Sequence, residues 1–387
     1  MKNKFTPDIR FAEFDTDWNS HVLGDLIEIS SASRVKKKEW TTSGVRFFRS
    51  SDVIANFTGK KNTRAFISEE LYKNLSERSG ILQTGDLLVT GGGSIGIPYL
   101  VIDREPLYFK DADLLWLKSA DKIDGHFLYY YFITPQLRKY ISSVTHIGTI
   151  SHYTIEQAKA TPITLPDIEE QTKIGDFLKK FDQSISLQQQ ELDTLKQTKQ
   201  GFLQKMFPKE GNCMPELRFK EFHGNWESKL FGEIMKVNSG RDYKHLQSGN
   251  VPVYGTGGYM LSVNEKLSDE DAIGIGRKGT IDKPQLLKAP FWTVDTLFFM
   301  TPSRNNDLYF CYTLANRINW KKHDESTGVP SLSKVNIEKV PVFMPLTEEQ
   351  VQIGKFFKHL DEVILLHQQE LDALKQTKKA FLQKMFV

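Results

Sequence analysis

The residues whose types and spacing could do chemistry lie in one glycine-rich hexapeptide and in several basic stretches interleaved with aromatics. The hexapeptide is GGGSIG, Gly91 to Gly96. It fits G-x-G-x-x-G, and the strand-like DLLV precedes it. A dinucleotide or S-adenosylmethionine loop of that form has to open a helix. Here Pro98 and the strand-like YLVI follow, so the spacing predicts a hairpin turn instead. The sequence has no G-x-x-x-x-G-K-[ST] phosphate loop, no Asn-Pro-Pro-Tyr or Asp-Pro-Pro-Tyr run, and no HExxH. His146 and His152 bracket IGTIS, an arrangement that reads as loop histidines rather than metal ligands.

The basic stretches point to a different chemistry. In the first half, SRVKKKEW sets Lys36, Lys37 and Lys38 beside Trp40, VRFFRSS holds Arg46 and Arg49, and GKKNTR holds Lys60, Lys61 and Arg64. In the second half, SGRDYKH supplies Arg241, Tyr243 and Lys244, VYGTGGYM supplies Tyr254 and Tyr259, and GRKGT supplies Arg277, Lys278 and Thr280. Cations neutralise phosphates, and arginine forks match base edges in the major groove. The phosphate-contacting candidates are Lys36, Lys37, Lys38, Lys60, Lys61 and Lys244. The base-reading candidates are Arg49, Ser94, Arg241, Tyr259, Arg277, Lys278 and Thr280, with Tyr243 beside them. A lysine cluster alone reads equally well as a solvated face. The turns GGGSIG and GRKGTI are set apart because each half carries one at the same place in its order.

These residues have to be held by elements, and the elements come in two copies. PDIRFAEFDTDW (7–18) returns as PELRFKEFHGNW (215–226). ITLPDIEEQTKIGDFL (163–178) returns as VFMPLTEEQVQIGKFF (342–357), and QELDTLKQTKQGFLQKMF (190–207) as QELDALKQTKKAFLQKMF (369–386). From Glu169 and Glu348 onward most aligned positions are identical, whereas the segments between diverge. Strand-like runs with glycine turns, and the helical GHFLYYYFITPQLRKYISS interrupted by Pro135, make each variable block α+β. PKEGNCMPE, Pro208 to Glu216, reads as a joint. The expected segments are therefore a first block at 1–166, a helix at 167–208, a second block at 209–345 and a helix at 346–387.

In the two helices Phe181, Ile185, Leu192, Leu195 and Phe202, and likewise Leu360, Ile364, Leu371, Leu374 and Phe381, fall at spacings of three and four. Such heptad-like stripes can pack on their own globular blocks or on each other; their matched length and pattern favour an antiparallel coiled coil with an internal pseudo-two-fold repeat. About 40 residues at 1.5 Å each make a rod of about 60 Å. The bulk numbers fit a folded chain: 387 residues, net charge +3, 26% charged and 12% aromatic residues. Two well-separated cysteines, the lack of an apolar run after the N-terminal lysines, and the lack of an 18-residue apolar stretch lead to the expectation of a cytoplasmic protein with no membrane partner.

At its repeated elements the chain resembles the specificity (S) subunit of type I restriction–modification systems, the HsdS family. The resemblance rests on P-x-L/I-R-F-x-x-F-x-x-x-W at the start of each half, on the EEQ helix entries, on LKQTK and FLQKMF in both helices, and on VPVYGTGGYM, IGRKGTIDKP and FWTVDTLF. It covers the whole chain. The first block departs from the GRKGT form at Gly91 to Ser94. What the resemblance implies is a non-catalytic subunit whose two target-recognition domains each read one half of a split, non-palindromic site on double-stranded DNA. The paired helices would fix the spacer and dock two methyltransferase (M) subunits, which carry S-adenosylmethionine and methylate adenine at N6. Restriction (R) subunits would add cleavage driven by ATP with Mg. No cofactor is expected on this chain. Two other classes stay open from the residues alone: a stand-alone DNA methyltransferase or nuclease, and a coiled-coil adaptor that does not touch DNA.

Overall fold

The computed structural model describes residues 5–103, 105–110, 114–118, 121–145, 151–209 and 211–387; His146 of the IGTIS bracket lies outside them. The first half runs β1 (Asn19–Val22), α1 (Leu23–Leu26), β2 (Ile29–Ser30), β3 (Val45–Phe48), α2 (Ser50–Phe57), β4 (Ala65–Ile67), α3 (Glu69–Ser79) and β5 (Leu87–Thr90). It continues through β6 (Pro98–Leu100), β7 (Leu107–Phe109), β8 (Leu114–Leu117), α4 (Gly125–Ile133), α5 (Pro135–Thr145), α6 (Ile155–Lys159), β9 (Pro162–Leu165) and α7 (Ile168–Lys205). The second half runs β10 (Glu227–Leu230), α8 (Phe231–Ile234), β11 (Met235–Ser239), β12 (Ser248–Gly255), β13 (Gly258–Val263), β14 (Ala272–Gly276) and β15 (Gln285–Leu287). It ends with β16 (Trp292–Thr293), β17 (Leu297–Pro302), α9 (Leu308–Arg317), α10 (Lys334–Glu338), β18 (Pro341–Met344) and α11 (Thr347–Lys384).

The variable blocks share one strand plan despite their divergent sequence. Order β2-β8-β5-β6 in the first block matches β11-β17-β14-β15 in the second, β4-β3-β7 matches β13-β12-β16, and β1-β9 matches β10-β18. Pairing is antiparallel except for β3 with β7 and β12 with β16, which are parallel in both copies. The strands β5 and β14 are buried along their whole length, as unbroken apolar runs require. The turn Gly91 to Gly96 joins β5 to β6 in an antiparallel hairpin, as Pro98 predicts.

The chain divides into two units, residues 1–188 with 370–387, and residues 189–369. Each unit therefore contains part of both long helices. In the first unit Phe177 meets Phe381 (centroids 5.0 Å apart), Lys378 pairs with Asp182, and Gln188 donates to Glu370 (2.8 Å). In the second, His367 lies 3.8 Å from Glu191, Lys199 pairs with Asp361, and Phe202 meets Phe356 at 4.9 Å. Partner numbers fall as helix numbers rise, so within each unit the helices run antiparallel. Leu192 and Leu371 are buried, while Phe181, Ile185, Leu195, Phe202, Leu360, Ile364, Leu374 and Phe381 are half-buried.

The apolar stripe does not serve the helix pair alone. Ile174 and Leu178 near the start of α7 join the core of the first unit, and Ile353 and Phe357 of α11 join that of the second. Beyond their last turns the roles cross over. Met206 and Phe207, after α7, are buried in the second unit, and Met385 and Phe386, after α11, are buried in the first. Phe207 stacks on Phe310 at 5.4 Å, and Phe386 lies 5.2 Å from Phe127. The repeated LQKMF is thus a plug, retained twice because both cores offer the same socket.

The other repeated motifs are fasteners of the same kind. Arg10 grips Glu170 through two parallel bonds (2.7 and 2.6 Å), and Arg218 grips Glu349 in the same way (2.7 and 2.7 Å). Both carboxylates are fully buried. The backbone N–H of Ile9 donates to the carbonyl of Lys384, and that of Leu217 to Lys205. In the EEQ entries, Gln171 accepts from the N–H of Asp124, which caps α4, and Gln350 accepts from Asp307, which caps α9. Gly175 and Gly354 follow four residues after each Gln because a Cβ there would sit 2.8 and 2.2 Å from the two capping carboxylates. Alanine at either position would displace a helix cap. None of the helices among the described residues is long and apolar enough to cross a membrane.

Candidate nucleic-acid interface

In the first block the basic stretches are drawn together by one arginine. Arg49 stands just before α2 and donates to Asp52 (2.8 Å) and to the carbonyl of Thr63, while its guanidinium lies 5.3 Å from the ring of Trp40. That anchors the loop carrying Lys60 and Lys61 beside the short 3-10 turn carrying Lys37 and Lys38, with Lys36 at its head. All five lysines are exposed. Arg49, a base-reading candidate on sequence, has its Nε and Nη2 engaged within the protein and acts as the clasp of this face.

Arg46, two residues along β3 from Phe48, is placed differently. One of its nitrogens donates to Asp52 (2.8 Å), and the other, Nη1, is buried without a hydrogen-bond partner. It lines a cleft of about 680 Å³ with Phe48, Arg64, Phe66 and Tyr99. Burial pushes the Arg46 pKa down, against the pull of Asp52. Arg46 thus leaves a donor unmet beside a cleft walled by aromatics. Sequence reasoning had no signal for Arg46, because only the fold shows that it shares Asp52 with Arg49.

Ser94 is exposed at the tip of the β5–β6 turn. The turn is fixed from behind: Arg138 of α5 donates to the carbonyl of Ile95 (2.7 Å), and the N–H of Tyr153 donates to that of Gly91 (2.7 Å). Ser94 is remote in sequence from the lysines.

In the second block the candidates converge. Arg277 and Lys278 are exposed on the turn after β14, with Thr280 half-exposed behind them. The N–H of Arg277 donates to the carbonyl of Thr296 (2.8 Å), that of Gly279 to Pro330 (2.8 Å), and the carbonyl of Arg277 accepts from Leu332 (2.9 Å). Gly279 has φ +91°, and a Cβ on Gly276 would be 2.1 Å from the carbonyl of Thr280, so this turn requires both glycines. Thr296 also lines a cleft of about 640 Å³ with Asp242, Tyr243, Lys244, Thr256 and Tyr259. Arg241 enters at the same edge: its N–H donates to the carbonyl of Thr293 (2.9 Å), and its own carbonyl accepts from Trp292 Nε1 (2.9 Å). Tyr259 is among the most exposed large side chains, at 63%.

The arrangement offers both signs of recognition. Arginine and lysine can donate to guanine O6 and N7 or to phosphate, and Asp242 and Asp295 can accept from the exocyclic amines of cytosine or adenine. Asp242, Asp295 and Thr296 carried no sequence signal, because only the fold brings their loops to Lys244 and Tyr259.

Comparison with known proteins follows the same lines. The profile of the type I restriction modification DNA specificity domain matches residues 15–197 and again 223–376. The chain is 24% identical to the type I restriction enzyme MjaIX specificity subunit of Methanocaldococcus jannaschii, over 99% of this chain and 96% of that protein. It is 28% identical to the S.HindORF215P specificity subunit of Haemophilus influenzae, where the match spans 41% of this chain and 39% of that one. Among solved structures, the S subunit of a type I system from M. genitalium superposes with TM-score 0.69 at 18% identity, covering 99% of both chains. A chain from another type I R-M structure gives TM-score 0.52 at 12% identity, over 94% of this chain and 96% of that one. With one strand plan laid down twice and the family profile matched twice, the chain belongs to the type I restriction modification DNA specificity family.

Proposed function

We propose that this chain is the DNA sequence-specificity subunit of a type I restriction–modification complex, with no catalytic step of its own. The observation that carries the reading is the same sheet plan built twice with differently lined clefts on it. Two readers of one architecture and different side chains suit a site with two unlike halves, which a symmetric dimer could not read. The long helices serve as the spacer element. Leu187 of α7 and Leu366 of α11 occupy equivalent repeat positions and are each 58% exposed; apolar side chains left open at matching places suit two copies of one partner. Those partners are two methyltransferase subunits, which bring S-adenosylmethionine to adenine N6 and must extrude the base to reach it. Restriction subunits with ATP and Mg complete the complex, which works on double-stranded DNA in the cytoplasm.

Mapping methylated adenines in cells that express this chain with its partner subunits tests the reading. A bipartite, asymmetric motif that changes when either block is exchanged is the expected result. A motif that survives loss of the chain would overturn it.

The same assay resolves single residues. Arg277→Ala should relax base choice at one position of one half-site, by about 1–3 kcal/mol, and leave the other half-site as it was. Lys244→Ala, by contrast, should weaken all sequences alike and flatten the salt dependence. An unchanged motif with Arg277→Ala removes that residue from base reading.

A further inference from the structure

Each unit contains a three-way polar joint that neither the DNA-facing residues nor the apolar cores require. In the first unit the hydroxyl of Tyr130 on α4 donates to Asp182 Oδ2 on α7 (2.6 Å), and Lys378 of α11 binds the other oxygen, Oδ1, with its ammonium 5.1 Å from the centre of the Tyr130 ring. In the second unit the hydroxyl of Tyr309 on α9 donates to Asp361 Oδ2 on α11 (3.0 Å), and Lys199 of α7 binds Oδ1. All three positions are repeat equivalents, and the carboxylate divides its oxygens in the same way in both copies. Burial, and then the neighbouring carboxylate, push the Tyr130 and Tyr309 hydroxyls far above the usual tyrosine pKa, so both are donors throughout the physiological range.

The joint ties three separate elements: the block's own helix, the long helix that follows it in sequence, and the long helix from the other half of the chain. A one-turn slip of one long helix against the other moves the lysine by about 5.4 Å and breaks the joint. A rotation of the block on the helices withdraws the tyrosine. Polar groups held in this way contribute little net stability, but they select one register among several that apolar stripes allow equally. The stripes here consist of leucine, isoleucine and phenylalanine at repeating intervals, which cannot by themselves distinguish one turn from the next.

We infer that Asp182 and Asp361 are positioning residues for bipartite recognition: each fixes the angle at which its reader stands on the helix pair, and so the spacer length that the complex accepts. The inference rests on the DNA-reading function proposed above. Its test uses the full complex with methyltransferase subunits, on duplexes that keep both half-sites and make the spacer one base pair shorter or longer. Asp182→Asn and, separately, Tyr130→Phe should raise the relative methylation rate on the wrong-length duplexes about tenfold, the weight of one charge-assisted hydrogen bond, with base preference inside the half-sites unchanged. Tyr130→Phe retains the buried ring, so the variant keeps its core. Reversing the pair, Asp182→Lys with Lys378→Asp, should narrow the spacer profile again. A spacer profile identical to wild type in both single variants, whatever their melting temperature, overturns the proposal, as does a change in half-site bases in place of spacing. If the wild-type complex is itself indifferent to spacer length, the functional reading fails first and takes the inference with it.

Discussion

Replacing Arg218 by alanine should destabilise the second unit by about 3–5 kcal/mol, the cost of leaving one charge of a buried pair uncompensated. The Glu349 side chain is fully buried, and both its oxygens accept from Arg218. Without the guanidinium, the carboxylate has to stay charged in a dry site, take up a proton, or open the motif to water. Lysine should rescue little, because a point charge cannot form the two parallel bonds. The double variant Arg218→Ala with Glu349→Met should recover most of the loss, since an apolar replacement of the whole pair is close to neutral. Urea denaturation followed by tryptophan fluorescence reads this directly through Trp226, which lies in the same core. A loss below about 1 kcal/mol would place this pair with ordinary surface ion pairs.

Phe386→Ala should destabilise the first unit by about 3–5 kcal/mol, although the bulk of that unit lies roughly 200 residues earlier in the chain. Phe386 is 3% exposed and lies 5.2 Å from Phe127 and 5.9 Å from Tyr131. Truncation leaves a cavity against rings that are themselves fully packed. Limited proteolysis should show cleavage appearing first among residues 1–188 while residues 189–369 stay protected. Uniform sensitivity across both units would mean that the plug is not seated where its burial places it.

What could be read in advance, and what could not, separates along physical lines. The two helices and the hairpin at Gly91 to Gly96 were legible because local chemistry decides them: heptad spacing, and a glycine turn followed by strand residues. The joint expected at Pro208 to Glu216 falls inside the second unit, because the units divide within the long helices, at 188/189 and 369/370. The reason for the repetition was not. Met206–Phe207 and Met385–Phe386 continue the apolar stripe in register, so periodicity assigns them to the helix pair, whereas burial places them in the cores. Arg10, Glu170, Gln171 and Gly175 are visible as repeated letters, but their purpose appears only when an arginine from the start of a half meets a glutamate about 160 residues later. In the basic stretches, sequence singled out Arg49, whose Nε and Nη2 the fold engages with Asp52 and Thr63, and could not show that Asp52 is shared with Arg46. Charge and spacing pick out the cations; which of their nitrogens the fold engages depends on a single buried aspartate.

The crossed seating of the two plugs also sets an order of assembly. Residues 189–369 make up the second unit, but the first unit lacks Met385 and Phe386 until roughly 200 further residues have been made. At about 5–20 residues per second, the roughly 200 residues in between take about 10–40 s to make. For that interval the apolar socket around Phe127 and Tyr131 is unfilled on a nascent chain. The block synthesised first therefore closes its core only after the second unit has been made.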